Sequence, residues 1–93
     1  MRKIREQARF GKDMELLVKR GASDELLELI EDIIGRLQKN EPLPASAKPH
    51  PLYGKWRGYR DLHILGDLVM IYKLSREEVV LVRIGDHSTL FKK

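Results

Sequence analysis

The four prolines of this chain all lie within one short segment, at Pro42, Pro44, Pro49 and Pro51. Proline lacks a backbone N–H and has a fixed φ, so it is excluded from the interior of a helix and from a central strand. The sequence therefore predicts a stiff connector here. It joins two parts with different periodicity and delivers His50 to the start of the second part.

The part before the connector has helical periodicity. Between Ala8 and Arg20 apolar residues recur at helical spacing, and Gly21 is placed to end that helix. Ser23 is typical of an N-cap, and a second helix is predicted to end near Lys39. Its apolar stripe is broad and consists of Leu26, Leu27, Ile30, Ile33, Ile34 and Leu37. A short link between the helices predicts an antiparallel pair.

The part after the connector predicts three antiparallel strands, and residues Lys3 to Arg5 are a weak candidate for an edge strand. The run from Leu68 to Tyr72 is apolar throughout, which is typical of a central strand buried on both faces. We therefore predict one α+β domain over residues 1–93. A two-helix hairpin packs on one face of a small, mainly antiparallel sheet and leaves the other face open.

Strand alternation predicts which side chains share a face. Arg57, Tyr59, Asp61 and His63 have the same parity. In the last strand Val80, Val82 and Ile84 form a core face, and Arg83 and His87 point the other way. A three-residue loop of Ile64, Leu65 and Gly66 would place Asp67 opposite His63, whereas a two-residue loop would place it opposite Ile64. Glycine at the third position favours the three-residue loop.

Composition and charge indicate which kinds of site, location and partner the chain can have. Cysteine is absent, which excludes disulfides, thiolate metal sites and a thiol nucleophile. The N-terminus lacks the apolar core of a signal peptide, and no run approaches the roughly 18 apolar residues of a membrane span. A soluble cytoplasmic protein is expected. Residues 41–93 hold nine basic and six acidic side chains, a net of +3 out of +4 for the whole chain, which favours an anionic partner.

A basic stretch without acidic residues runs from Lys48 to Arg60. Its four basic residues alternate with aromatic ones: Lys48, Tyr53, Lys55, Trp56, Arg57, Tyr59 and Arg60. Basic side chains neutralise phosphates, and aromatic rings stack on bases. The pattern therefore indicates RNA binding. The alternative is a solvated basic rim whose aromatic rings anchor the sheet.

The three histidines, His50, His63 and His87, each lie at an end of a predicted strand. A single histidine is usually a surface or hydrogen-bonded residue. Three of them near Asp61, Asp67 and Arg83 could supply a base, an acid and a cation for a developing phosphate charge, which is what phosphodiester cleavage needs. An ion pair between Arg83 and Asp61 or Asp67 is an alternative role for the arginine. Metal binding is a further alternative, although the spacings match no zinc signature such as HExxH.

Three segments in order, HPLYGKWRGYRDLHI, GDLVMIYKL and LVRIGDHSTLF, resemble the YafQ branch of the RelE/ParE toxin superfamily. The resemblance implies the RelE-like microbial RNase-type fold and a toxin of a type II toxin-antitoxin system. It implies a ribosome-dependent endoribonuclease that cuts messenger RNA in the A-site codon. The ribose 2′-hydroxyl attacks the adjacent phosphate, and no metal or other cofactor is required.

Carried over by position, the resemblance assigns candidate roles. His50, His63 and Asp67 match residues near the scissile phosphate, and His87 matches the proposed general acid. Arg83 matches the phosphate-stabilising arginine. Phe91 matches a C-terminal aromatic ring that positions RNA, with simple packing on the sheet as its alternative. Asp61 is a weaker candidate for orienting a histidine. The candidates for RNA and ribosomal RNA binding are Lys48, Lys55, Trp56, Arg57 and Arg60.

This chain departs from the family pattern at two positions. Leu68 stands where relatives often have tryptophan, and Asp86 stands where they usually have serine or threonine.

The implied partners are a cognate antitoxin with a ribbon-helix-helix DNA-binding domain and the 70S ribosome with messenger RNA in its A site. A ParE-like toxin that binds gyrase, a metal-dependent nuclease and an RNA- or ribosome-binding module without cleavage are the rival functions. The gyrase-binding toxins do not need the histidine set, so its presence favours the ribonuclease.

Overall fold

The computed structural model describes residues 1–91. Three helices and five strands follow one another along the chain, with short 3₁₀ turns at Ala45–Ala47 and Gly54–Trp56. The order is β1 (Lys3–Glu6), α1 (Ala8–Lys19), α2 (Asp24–Lys39), β2 (His50–Pro51), β3 (Arg60–Leu65), β4 (Leu68–Leu74), β5 (Glu78–Asp86) and α3 (His87–Leu90). The predicted α+β class is confirmed, and no helix within residues 1–91 is long and apolar enough to cross a membrane.

The five strands form one sheet in the order β1-β5-β4-β3-β2. Strand β1 pairs with β5 in parallel, and the other neighbours are antiparallel. The weak N-terminal strand prediction is confirmed, because β1 lies at one edge with all four residues exposed. The central strand prediction is confirmed as well. Strand β4 lies in the middle, and Leu68 to Tyr72 are buried.

The helix ends follow from local chemistry, as predicted. Gly21 follows the C-cap of α1 and has a left-handed φ of 90°, which ends the helix. The Ser23 hydroxyl oxygen accepts a hydrogen bond from the Leu26 backbone N–H at 3.1 Å, which caps α2. Asn40 ends α2 in a left-handed conformation. The buried side chains of α2, which include Ile30 and Ile33, then pack on the sheet.

The prediction that the face opposite the helices is open is wrong. A second apolar cluster covers part of it and is built on Val69, Ile71, Val80, Val82 and Leu90. Leu52, Trp56, Tyr59 and Phe91 pack against this cluster. Strands β4 and β5 are apolar on both faces, so each face needs a covering layer. Residues between Leu52 and Tyr59, together with Leu90 and Phe91, supply that layer.

A β-bulge in β5 changes the predicted faces. Ile71 pairs with Arg83 and Tyr72 pairs with Leu81, so Val82 is the extra residue. As a result Val80 and Val82 belong to the cluster opposite the helices, whereas Ile84 packs on the helix side. The prediction of one shared face for these three residues is wrong. The strand also ends at Asp86, so strand alternation does not place His87, which begins α3.

The turn between β3 and β4 is shorter than predicted. Leu65 pairs with Leu68, and Gly66 and Asp67 form a two-residue turn. Gly66 has the predicted left-handed conformation, with φ of 56°. An irregularity between His63 and Leu65 accommodates the shorter turn, and His63 pairs with Val69. The prediction that Asp67 lies opposite His63 is therefore wrong.

Candidate active site

The sheet aligns the candidate residues in rows. Directly paired residues on antiparallel strands share a face. One row runs from His50 to Asp61, Ile71 and Arg83 across β2 to β5. Three strand spacings separate its ends, so the backbones of His50 and Arg83 are about 14 Å apart. Val69 and Ile71 belong to the cluster opposite the helices. His63 pairs with Val69, so the candidates on β2 and β3 lie on that face.

His50 and Asp61 form a close pair. The His50 Nε2 atom lies 3.0 Å from the Asp61 Oδ1 atom, and the carboxylate is buried while the imidazole is half exposed. The His50 Nδ1 atom lies 3.0 Å from the Lys48 carbonyl oxygen. A carbonyl can only accept, so Nδ1 carries the proton in that contact. Both ring nitrogens of His50 therefore have an oxygen neighbour.

The contact between His50 and Asp61 is short but poorly aligned, and Asp61 Oδ1 accepts no hydrogen bond from residues 1–91. A buried carboxylate is stable only beside a cation or hydrogen-bond donors. The His50 imidazole is the side chain that approaches it, and the pair is ionic only when that imidazole is protonated. Asp61 therefore lies beside a candidate histidine, and its orienting role stays a prediction.

His63 lines an open cavity of about 300 Å³ together with Ser46, Lys48 and Gly66. Lys48 reaches this place because its backbone is left-handed, with φ of 44°. The same conformation turns its carbonyl toward His50. The structure therefore brings Lys48, a predicted RNA-binding residue, beside two of the candidate histidines.

Asp67 and His87 meet through the backbone. The His87 N–H donates to the Asp67 carbonyl oxygen at 3.1 Å, which ties the β3–β4 turn to the start of α3. The His87 side chain is exposed. This end of the sheet therefore carries His87 and Asp67 together, close to the position of His63 on β3.

Aromatic rings link His87 to the covering layer. The Phe91 ring lies 4.8 Å from the His87 ring and 6.2 Å from the Trp56 ring, measured between centroids. Trp56 in turn contacts Tyr59 edge to face at 5.3 Å. Packing of Phe91 on the sheet layer, the alternative considered for it, is confirmed. Trp56 also has an anchoring role, whereas Tyr53 is 80% exposed.

Arg83 does not pair with Asp61 or Asp67. Its partner is Asp13 of α1, with Nε to Oδ2 at 2.8 Å and Nη2 to Oδ1 at 3.2 Å. The alternative of an ion pair with Asp61 or Asp67 is therefore wrong. The bulge at Val82, together with the end of the β1 pairing at Leu81, brings Arg83 beside α1. Sequence reasoning missed Asp13. The available signal was a carboxylate bordering the apolar stripe of a helix, near Phe10 and Leu17.

The predicted basic cluster is split by the sheet. Lys55 and Arg57 are exposed beside Trp56. Arg60 instead lines a cavity of about 510 Å³ together with Arg2, Arg36 and Tyr72. Burial raises the pKa of Tyr72, and the neighbouring Arg60 guanidinium partly offsets this shift. Arg60 is therefore separated from the other basic residues of its stretch.

The two departures from the family pattern face each other. Leu68 pairs with Asp86 across β4 and β5. Leu68 is buried in the helix-side cluster, so its side chain lies away from His63. Asp86 is exposed and lines a small cavity of about 110 Å³ with Arg83 and Arg20. Its carboxylate adds negative charge near the Arg83 guanidinium.

A family model described as bacterial toxin of type II toxin-antitoxin system, YafQ, matches residues 2–92. The chain belongs to the YafQ toxin family. A similar curated relative is the mRNA interferase toxin YafQ of Escherichia coli K12, which is 37% identical over 90 residues and covers 97% of this chain and 96% of its own length.

Solved YafQ-like structures share the fold. The E. coli DinJ-YafQ toxin-antitoxin complex contains a chain with 37% identity and a TM-score of 0.84, covering 97% of both chains. A metal-bound toxin from Helicobacter pylori has 36% identity and a TM-score of 0.86, covering 98% of this chain and 100% of that one. Within the described part of this YafQ-family chain, no three His, Asp or Glu side chains are grouped to hold a metal ion.

Proposed function

We propose that this chain, as a YafQ-family toxin, is an mRNA interferase that cuts messenger RNA in the A-site codon of the 70S ribosome. One observation carries the proposal. The sheet face opposite the helices carries His50 with its buried partner Asp61, and also His63 on β3. His87 is the first residue of α3, directly after β5 ends. Relatives with the same fold include a protein named mRNA interferase toxin.

The proposed reaction is transfer of the phosphate from the 5′-oxygen to the ribose 2′-oxygen. A base takes the proton of the 2′-hydroxyl, the 2′-oxygen forms a bond to phosphorus, and the bond from phosphorus to the 5′-oxygen breaks. His87 gives a proton to the departing 5′-oxygen. The products are a 2′,3′-cyclic phosphate and a 5′-hydroxyl, so atoms and charges balance without a cofactor.

His63 has the base role, whereas His50 serves to position the substrate, because both of its ring nitrogens already face oxygen atoms. Asp61 holds His50 from one side while the Lys48 carbonyl holds it from the other. His63 opens into its own cavity, where a ribose and phosphate could lie. Asp67 is fixed beside His87 through the backbone and serves to position the substrate. Arg83 stabilises the charge that develops on the phosphate.

RNA contacts come from the exposed basic residues around this face. Lys48 lies beside His63, and Lys55 and Arg57 project near Trp56. Phe91 orders His87 through ring contact and offers a surface for the RNA. Arg60 points into a separate cavity, so we assign it the weakest contribution among the predicted RNA-binding residues.

The proposed partners follow from the same role. The E. coli relative is solved with the antitoxin DinJ, and we infer a cognate antitoxin for this chain, carrying a ribbon-helix-helix domain. The positive charge of residues 41–93 suits an acidic antitoxin segment. Residues 1–93 act as one toxin domain in the cytoplasm, where translating ribosomes are found.

The test is cleavage of messenger RNA on programmed ribosomes by the purified, antitoxin-free protein, with and without a chelator. Cutting in the A-site codon with 5′-hydroxyl ends, unaffected by chelator, supports the proposal. Loss of cutting in chelator would favour a metal-dependent nuclease. Ribosome binding without cutting would favour a binding module. Inhibition of gyrase without RNA cleavage would favour the ParE-like alternative.

The acid role is tested with His87→Ala. Removal of a general acid lowers the rate by about a hundredfold or more, and ribosome binding should persist because the ring is not needed for the fold. The matched control is Ser88→Ala, an exposed neighbour in α3, which should cut at the wild-type rate. Wild-type cutting by His87→Ala would refute the assignment of the acid.

A further inference from the structure

Asp13 holds Arg83 with both of its carboxylate oxygens. Oδ2 accepts from the Arg83 Nε–H at 2.8 Å and from the Ile84 backbone N–H at 3.1 Å, and Oδ1 accepts from Nη2 at 3.2 Å. Both side chains are largely buried, with 14% of Asp13 and 18% of Arg83 exposed. The three hydrogen bonds join residues that lie about seventy positions apart along the chain.

The sheet explains why a helix carboxylate occupies this place. Strand β1 pairs with β5 only as far as Leu81. Beyond Leu81, in the described chain, α1 rather than a strand lies beside β5. Asp13 accepts the Ile84 N–H that a longer β1 would have accepted. The bulge at Val82 displaces Arg83 at the same point, so its guanidinium meets the carboxylate.

The contact determines which donors of Arg83 stay available. A guanidinium has five N–H donors, and Asp13 takes one from Nε and one from Nη2. The two donors of Nη1 and the second donor of Nη2 remain. One N–H of Nη1 and one of Nη2 face the end of the guanidinium and are parallel, which suits two oxygens of one phosphate.

We propose that Asp13 is a positioning residue for the RNA-cleaving reaction, which presents the Nη1–Nη2 end of Arg83 to the scissile phosphate. The inference rests on the proposed function, which assigns Arg83 to phosphate stabilisation. Asp13 itself touches no substrate. Its carboxylate fixes the direction of the guanidinium and leaves the arginine charged.

Loss of the Asp13 carboxylate should lower the cleavage rate without weakening RNA binding. A freed guanidinium loses its fixed direction, and misplacement of a group in a site by about 1 Å can lower a rate by about a hundredfold. Loss of the Asp13 charge leaves the surface more positive, so RNA binding should not weaken. A role confined to fold stability predicts instead a lower melting temperature with an unchanged rate per folded molecule.

The experiment compares Asp13→Asn with Asp32→Asn, since Asp32 also pairs with an arginine, Arg36, at 2.8 Å but on the exposed side of α2. Asp13→Asn should cut programmed-ribosome mRNA roughly ten- to a hundredfold more slowly in single turnovers, with ribosome affinity unchanged or tighter. Asp32→Asn should match wild type in both. Asp13→Glu, which keeps the carboxylate, should recover part of the rate and provides a second variant if Asp13→Asn folds poorly.

Two further measurements decide between positioning and stability. In an Arg83→Ala background, Asp13→Asn should slow cleavage no further. If Asp13→Asn lowered the cleavage rate by the same factor in both backgrounds, the proposal would be overturned. The Arg83 Nε–H resonance should be protected from exchange in the wild type and lost in Asp13→Ala, which has no acceptor. Protection that persists in Asp13→Ala would also overturn it. A wild-type protein that keeps this protected resonance but does not cut would refute the proposed function and reduce the ion pair to a stabilising contact.

Discussion

Removal of the His50 imidazole tests the link between the buried carboxylate of Asp61 and its one ion-pair partner in the described chain. For a protonated imidazole at the observed 3.0 Å, Coulomb's law gives about 1.4 kcal/mol in water and about 5.5 kcal/mol at an effective dielectric constant of about 20. Because 51% of the His50 side chain is exposed and burial of Asp61 offsets part of the attraction, the value should be near the lower limit. We expect a coupling free energy of about 1–2 kcal/mol.

The assay is a double-mutant cycle of His50→Ala and Asp61→Asn, with the free energy of unfolding measured in urea at about pH 5, where an ordinary imidazole is mostly protonated. Trp56 is the sole tryptophan and reports unfolding by fluorescence. A domain of 93 residues has about 5–14 kcal/mol of stability, so the single variants should stay folded. His50→Ala should destabilise the wild type more than it destabilises Asp61→Asn, since the neutral amide needs no cation.

A second cycle that combines His87→Ala with Asp61→Asn serves as the control, because His87 lies in α3 and makes no ion pair with Asp61 in the described chain. Its two effects should add within about 0.3–0.5 kcal/mol, the usual limit for independent sites. A coupling of that size or less for His50 and Asp61 would show that the 3.0 Å contact contributes no stability. Asp61 would then be held by the sheet alone, and its proposed orienting role would be refuted.

Two other predictions concern the core. Burial raises the pKa of Tyr72 above 10.0. Its stabilising contribution is therefore complete below pH 10 and is lost as pH rises through the higher folded-state pKa. In chemical denaturation, the free energy of unfolding should fall more steeply above pH 10 for wild type than for Tyr72→Phe, and parallel curves would contradict this. Ile33→Ala, at a side chain that is 1% exposed, should lower the free energy of unfolding by about 2–5 kcal/mol. Ile34→Ala, at a half-buried neighbour, should lower it by less than half as much. Equal losses would show that the assigned core face of α2 is wrong.

Local chemistry was enough to predict the helices and the central strand. The N-cap at Ser23, the glycine at Gly21 and the apolar stripe of α2 act within a few residues of where they stand, so they are readable without the fold. The apolar run of β4 likewise predicts burial on both faces. The histidines were recognisable as a group because each was predicted to lie at the beginning or end of a strand. Their catalytic roles stay predictions.

Strand register was not predictable from local periodicity. Each bulge adds one residue and reverses the alternation beyond it. The bulge at Val82 therefore moved Ile84 to the helix side, and the two-residue turn at Gly66 moved Asp67 away from the position opposite His63. Both irregularities depend on the pairing partner, which a single strand's sequence does not contain.

The sequence by itself determined the elements of this toxin, their order and the chemical groups available to its site, because these depend on residue type and short-range spacing. Only the tertiary structure decided which groups meet. Asp61 lies beside His50 because β2 pairs with β3, and Arg83 is held by Asp13 because β1 ends at Glu6 and α1 takes over the edge of β5. Contacts between distant residues depend on how the layers close on one another, and that closure is a property of the packed chain as a whole.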